Sequence, residues 1–292
     1  GRTAGVRGNA SCRWYVKMAS FIHEGRALYG LVEGDNLSPV STTKLMEFPT
    51  LRALLEGGKL ADLHKFCDTT TVPLASVRFL PPVPHPSKIL CVGMNYKKPY
   101  PVEGATFKDD SIVVFGRHAD SFVADSQPLE MPLRDAGLSY DFEGEIAVVI
   151  GTRCRHVAKE AALEQVAGYA CMNEGSVRGW QKHSIHAGKN FYASGAWGPW
   201  LVTSDEAAPI GQMRLVTRVN GTVMQETTGA NMIHDLPKLI SYLSHITQLN
   251  PGDVIATGSP DGTGGSRTPT AFLKPDDVVE VEVSTVGTLR NL

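Results

Sequence analysis

The chain has 292 residues, with 28 Lys and Arg against 30 Asp and Glu and a formal net charge of -2. That balance, without a Lys/Arg run to track phosphates, excludes nucleic acid as the main partner, and no apolar stretch approaches the ~18 residues of a membrane-spanning helix. Cys12, Cys67, Cys91, Cys154 and Cys171 are odd in number and lack a C-x-x-C pair, which speaks against a disulfide framework or a thiolate zinc site and for a reducing cytoplasm.

Residues 1–17 carry Arg2, Arg7, Arg13 and Lys17 with no acid and no apolar signal core, and are expected to be an upstream extension or disordered arm. From 19 to 40, two apolar-alternating runs separated by His23-Glu24-Gly25 predict a β-meander. Leu45, Leu51, Leu54 and Leu55 then keep a broken helical period across Pro49, with Gly57-Gly58 as a stop and a second short helix near 60–66. The cluster Pro81-Pro82-Val83-Pro84-His85-Pro86 forbids regular structure and suits a linker. A small α/β N-terminal domain over 18–80 and a larger domain over 81–292 are therefore expected.

The larger domain is strand-rich, with strands predicted at 88–93, 111–115, 142–150, 168–172, 200–203, 215–226, 253–257 and 278–283. Asn220-Gly221 marks a two-residue hairpin. One helix is expected over 158–166. Another opens at Asp235-Leu236-Pro237 and sets Leu236, Leu239, Ile240, Leu243 and Ile246 on one stripe. Many strands and few helices, without βα alternation, predict an α+β, β-rich fold: a mixed roll or barrel and not a doubly wound sheet.

The strand that begins Tyr140-Asp141-Phe142-Glu143-Gly144-Glu145 carries Glu143 and Glu145 at i and i+2, on one face, with Asp141 in line behind them. Its second half, Ile146 to Ile150, is apolar on both faces and reads as buried. Carboxylates at the edge of a dry interior repel and lose hydration, which a metal, a basic partner or protonation would offset. Taken alone, the pattern leaves a metal site and a wet strand edge equally open. A second acidic element follows in Asn173-Glu174-Gly175-Ser176-Val177-Arg178-Gly179-Trp180-Gln181. Downstream come His183, His186, Gly188-Lys189-Asn190-Phe191, Gly198-Pro199-Trp200, and Asp253-Val254-Ile255-Ala256-Thr257-Gly258-Ser259-Pro260.

In this order, from about Lys88 to Asn291, these segments resemble the C-terminal domain of the fumarylacetoacetate hydrolase family. Its motifs are an E-x-E strand, N-D-x-S-x-R-D-x-Q, G-K-x-F, G-P-W and P-G-D-V-I-x-T-G-T-P. The resemblance implies a β-rich roll preceded by a small N-terminal domain, a homodimer, and Mg²⁺ or a similar ion. It places Glu143, Glu145 and Glu174 at the metal positions, Arg178 and Gln181 at substrate contacts, Lys189 on the active-site lysine, and Ser259 on the residue that holds a substrate carboxylate. Tyr96, in the segment matching the family's lid, joins the substrate contacts. Glu174 stands where the family has Asp, and Gly179 where it has an acid. The lid pattern N-Y-x-x-H-x-x-E supplies a water-activating His-Glu pair, whereas here Pro99 and Val102 occupy those two places. Together with the Asn-Glu-Gly element, this resembles an acylpyruvate hydrolase-like subgroup.

Three carboxylates without a thiolate form a hard oxygen site suited to Mg²⁺, Mn²⁺ or Ca²⁺. Such an ion acts as a Lewis acid on a 2-oxo acid, and Lys189 and Arg178 would add charge to the same developing oxyanion. For water activation, His183 is the first choice and Glu103 the second, although His183 reads more readily as a solvated helix or loop histidine. Ser176 lacks a nucleophile elbow, and Gly262-Thr263-Gly264-Gly265 lacks the Lys of a phosphate loop. The leading expectation is a metal-dependent hydrolase that cleaves a C–C bond of an acylpyruvate, such as maleylpyruvate or fumarylpyruvate, in aromatic-compound catabolism. An isomerase, tautomerase or decarboxylase on a 2-oxo or 2-hydroxydienoate acid is the alternative, and a catalytically silent metal-binding protein the third reading.

Overall fold

Residues 17–97 and 111–292 are described by a computed structural model. Pro99, Val102 and Glu103, and residues 1–16, lie outside the described residues. A mixed sheet of twelve strands forms the backbone of the molecule. Across it run Val72–Pro73, Asn36–Pro39, Arg26–Glu33, Lys17–His23, Gly195–Thr203, Val166–Asn173, Gly144–Ile150, Val254–Ala256, Ile89–Gly93 and Val113–Arg117, with two short strands, Arg78–Phe79 and Phe122–Val123, paired alongside. A four-stranded antiparallel sheet of Thr222–Thr228, Arg214–Val219, Val279–Val283 and Gly287–Asn291 stands apart from it. The architecture is the β-rich, helix-poor one that the strand pattern predicts. No helix among the described residues is long and apolar enough to cross a membrane.

The turns follow the residues that favour them. Asn220 (φ 50°) and Gly221 (φ 77°) both take the left-handed conformation of a type I′ hairpin, and Glu24 (φ 49°) and Gly25 (φ 75°) do the same in the first meander. Pro49 splits the first helical stretch into Thr42–Glu47 and Leu51–Glu56, the second capped by Thr50, whose side chain accepts from the Ala53 amide. The longest helix, Leu236–Ile246, is capped in the same way by Asp235 and buries Leu236, Leu239, Ile240 and Leu243. Ile246 leaves the expected stripe: it is 61% exposed, the last helical residue before Thr247 turns extended.

The helix expected over 158–166 does not form. Two single 3₁₀ turns, Lys159–Ala161 and Leu163–Gln165, stand there instead. The Gln165 carbonyl accepts from Gly151 N at 2.7 Å, an interstrand bond that draws the chain into strand Val166–Asn173 and withholds that carbonyl from a helical ladder. The last strand, Gly287–Asn291, escapes sequence reading because only Leu289 and Asn291 in it are buried.

Both faces of the large sheet are covered. On one, Ile146, Val148 and Ile150 pack with Tyr169, Cys171, the long helix and the second sheet's Leu215, Val281 and Val283. On the other, Ala147, Val149, Ala170, Met172 and Leu201 meet Leu51, Leu54, Leu55 and Leu63 of the N-terminal helices. Lys17–His23 pairs directly with Gly195–Thr203, so the sheet continues across the proline-rich segment 81–86. Strand Gly144–Ile150 is consequently buried at all seven positions, and what it carries at its N-terminal end is carried into the interior. Gly144 lies against the second sheet, where a Cβ would collide with Thr217 Oγ1. Gly144→Ala should lower unfolding stability by ~1–3 kcal/mol in a urea titration. Unchanged stability would show that the two sheets do not approach as described.

Candidate metal centre

Three loops and strand ends deliver the charged side chains. Asp141 ends the short strand Tyr140–Asp141, which pairs with Ser176–Val177. Regular strand breaks at Phe142 and Glu143 and resumes at Gly144, so Asp141 is not in line behind the two glutamates as the i, i+2 spacing predicts. Its carboxylate instead accepts from the amides of Phe142, Gly264 and Gly265 (2.9, 2.7 and 2.9 Å) and from Arg178 Nε at 2.8 Å, tying the 264–266 turn to the arginine. The break is anchored where Asn173 Oδ1 accepts from Glu143 N (3.0 Å) and Glu143 O accepts from Glu174 N (2.8 Å). Those two bonds set the first and third glutamates side by side.

The carboxylates of Glu143, Glu145 and Glu174 converge, each offering an oxygen within 4.8 Å of the others. They are 8%, 1% and 1% exposed. Lys189 Nζ bridges Glu143 (2.9 Å) and Glu174 (3.0 Å), and Arg178 Nη1 reaches Glu143 at 2.5 Å. Lys189 arrives on helix Ile185–Lys189, which Ser184 caps through the Ala187 amide. Gly188 permits that approach, since a Cβ there would strike Gln181 Cγ. Gln181 in turn lies 3.5 Å from Arg178 Nη1.

The electrostatics divide the glutamates. Burial would raise Glu143, but Arg178 and Lys189 outweigh it and hold its carboxyl down to about 2. Glu145 has no such escort: burial, then the charges of Glu174 and Glu143, push it well above its ordinary value. For Lys189, burial opposes the charge, but Glu143 and Glu174 hold its ammonium above its ordinary value. Glu145 Oε2 accepts from Gly258 N at 2.8 Å, whereas Glu145 Oε1 and Glu174 Oε1 are buried without a hydrogen-bond partner. Two orphaned carboxylate oxygens inside a triad of hard donors fit a divalent cation, which would satisfy both at once.

The remaining predicted residues fall in two groups. Tyr96 is buried, and burial together with the Glu145 charge pushes its phenol up. Ser259 Oγ accepts from Gln225 Nε2 (2.8 Å), whose Oε1 accepts from Gly144 N (2.9 Å), so Ser259 is connected to the acidic strand through one side chain. His183 is not brought to the carboxylates: it is exposed and packs on the Trp180 ring (centroids 5.0 Å). The 3₁₀ turn Trp180–Lys182 points it outward while the next helix carries Lys189 inward. Glu103 lies outside the described residues. His186 stacks edge-on with His118.

Two buried polar residues at the site escaped sequence reading. Nothing local distinguishes Gln225 in its hairpin strand. Arg117, a base closing the apolar run Ile112-Val113-Val114-Phe115-Gly116, could have been flagged as a buried charge.

The sheet scaffold and the buried carboxylate cluster together define a candidate metal centre on a β-rich frame. The chain belongs to the fumarylacetoacetate hydrolase family: residues 88–292 match the family described as fumarylacetoacetate (FAA) hydrolase C-terminal. It is 34% identical over 221 residues to an oxaloacetate tautomerase, fahd2, mitochondrial, of Xenopus laevis, covering 74% of this chain and 68% of that protein. The fumarylacetoacetate hydrolase of Exiguobacterium antarcticum superposes with a TM-score of 0.82 at 31% identity, over 94% of this chain and 98% of that one. A maleylpyruvate hydrolase of Sphingobium sp., solved with manganese(II) and pyruvate, has the same fold (TM-score 0.77, 24% identity, 94% and 97% covered).

Glu174→Gln should remove Mn²⁺ binding as followed by electron paramagnetic resonance, and full affinity in that variant would sink the site. The two shifted carboxyls act on stability in opposite directions. Glu143, depressed in the folded state, contributes stability that is present above about 4.5 and lost as pH falls toward about 2. Glu145, raised in the folded state, opposes folding once pH climbs past 4.5. In the metal-free protein at pH 7, Glu145→Gln should therefore raise the thermal midpoint while weakening Mn²⁺ binding. A lowered midpoint would contradict the assignment.

Proposed function

We propose that this chain is a Mg²⁺- or Mn²⁺-dependent enzyme of keto–enol chemistry on a small 2-oxo dicarboxylic acid, with oxaloacetate tautomerisation as its activity. The supporting observation is the triad itself: three buried carboxylates, two with an unpartnered oxygen, facing Lys189 and Arg178. When bound, a divalent cation supplies Lewis-acid polarisation of an oxo group. Lys189, kept cationic by Glu143 and Glu174, offers positive charge to a developing enolate oxygen, where such a preorganised group is worth ~10²–10³ in rate. Arg178 is held by Asp141 and Glu143 and lies beside Gln181, a pair placed to receive a substrate carboxylate. Tyr96 and Ser259 are the further substrate contacts of this reading. The 34% identity to an oxaloacetate tautomerase supports this choice of substrate.

C–C hydrolysis of an acylpyruvate is the second reading, favoured by the whole-fold likeness to a fumarylacetoacetate hydrolase at 31% identity. It uses the same enolate but also needs an activated water. His183, exposed on the Trp180 ring, is not placed for that task.

Oxaloacetate and acylpyruvates incubated with the Mn²⁺-loaded protein separate these readings by NMR. Keto–enol exchange faster than buffer supports the tautomerase, two carboxylic acid products the hydrolase, and CO₂ release a decarboxylase. Tautomerisation is expected to vanish on chelation and to fall ~10²–10³-fold in Lys189→Met. Exchange at full rate after chelation would overturn the metal-dependent reading.

A further inference from the structure

Near the Glu174 oxygen that Lys189 does not bond, a second guanidinium is buried. Arg117 ends strand Val113–Arg117, opposite Ile89, and its side chain is 0% exposed. Its plane lies over the Phe122 ring, with Cζ 4.2 Å from the centroid. Nε donates to Ser121 Oγ (3.1 Å), Nη2 donates to Ser121 O (3.3 Å) and Ser194 Oγ (3.1 Å), and Nη1 donates to Gly175 O (3.0 Å). Of the five N–H groups of an arginine, that leaves one, on Nη1. Glu174 Oε1 stands 3.9 Å from this nitrogen and is one of the two buried carboxylate oxygens without a hydrogen-bond partner.

The arrangement is specific to a planar fork. Its bonds join the Val113–Arg117 strand end, the 3₁₀ turn at 119–121, the carbonyl of Gly175 next to Glu174, and Ser194 at the entry to strand Gly195–Thr203. Gly175 packs directly against the Ser194 backbone, where a Cβ would meet Ser194 O. At 3.9 Å the remaining N–H is too far from Glu174 Oε1 for a hydrogen bond, yet close enough for its charge to act in a dry interior. The oxygen is thus held, electrostatically supported and left free. Four buried carboxylates, Asp141, Glu143, Glu145 and Glu174, share this centre with three cations, Arg117, Arg178 and Lys189.

We infer that Arg117 is a positioning residue of the metal centre: by clamping the Gly175 carbonyl and standing next to Glu174 Oε1, it orients the third carboxylate ligand without competing for its free oxygen. The inference rests on the triad's being the metal site proposed above. Partners behind a ligand typically contribute ~10–100-fold to metal affinity.

Mn²⁺ affinity and the electron paramagnetic resonance line shape of bound Mn²⁺, measured on folded protein well below its thermal midpoint, test the assignment. Arg117→Lys keeps the charge but loses the fork and the stacking on Phe122. It should weaken Mn²⁺ binding about tenfold and alter the line shape at saturation. Arg117→Gln should weaken binding further, toward ~100-fold. Either folded variant binding Mn²⁺ with wild-type affinity and line shape, even with a lowered midpoint, would reduce Arg117 to a structural residue and overturn the inference. If Arg117→Gln does not fold, Arg117→Lys decides alone. Wild-type protein measured in parallel separates the two levels: failure of the wild type to bind Mn²⁺ overturns the metal site and this inference together, whereas equal binding by wild type and variant overturns only the role of Arg117.

Discussion

Three glutamate side chains held within 4.8 Å of one another in a nearly dry interior are the arrangement that the rest of the centre exists to tolerate. Left alone, Glu143, Glu145 and Glu174 would repel and lose their hydration, a combination that a protein interior does not sustain without compensation. The structure compensates unevenly. Glu143 receives both Arg178 and Lys189 and stays ionised, Glu174 receives Lys189 and the nearby charge of Arg117, and Glu145 receives one amide. The unevenness leaves two buried oxygens, one on Glu145 and one on Glu174, without a hydrogen-bond partner.

That arrangement requires a rigid support, which the central sheet provides. Because N-terminal helices cover one face and a helix and second sheet cover the other, Gly144–Ile150 cannot tilt its acidic end toward water. The bonds of the Glu143 backbone to the Asn173 side chain and the Glu174 amide then lock the strand break beside Glu174. Asp141, set apart from the triad, spends its oxygens on the 264–265 amides and on Arg178, so it fixes that loop and the arginine that reaches Glu143. A carboxylate so thoroughly hydrogen-bonded has no free oxygen for an ion, which explains why it does not join the other three.

Much of the scaffold was legible because its signals are local. Asn220-Gly221, Asp235 before Leu236-Pro237, and Gly57-Gly58 each act within a few residues, and each marks the turn or helix boundary that it predicts. Prediction failed where a distant partner overrode a local preference. The helix-forming residues at 158–166 yield to an interstrand bond between Gln165 and Gly151, and Ile246 keeps the stripe's spacing but not its burial. The site shows the same division. Glu143, Glu145, Glu174, Arg178 and Lys189 stand out in sequence by type, order and spacing, while Gln225 and Arg117 come from segments whose composition says nothing about carboxylates far along the chain.

What the sequence determined by itself is the set of charged groups and the β-rich frame that carries them, since strand alternation, turn residues and motif order are written in neighbouring positions. Which carboxylates meet, which stay paired and which are left open was decided only by tertiary structure. Charge compensation in a dry interior depends on distances of about 3 Å between residues that lie tens of positions apart, such as Lys189 with Glu143 and Arg117 with Gly175, and no local pattern encodes those distances. The fate of His183 makes the same point from the other side. Its residue type and place in the chain suited a base, but the turn before the Lys189 helix sends it to the surface, where its ring rests on Trp180 and its chemistry faces solvent.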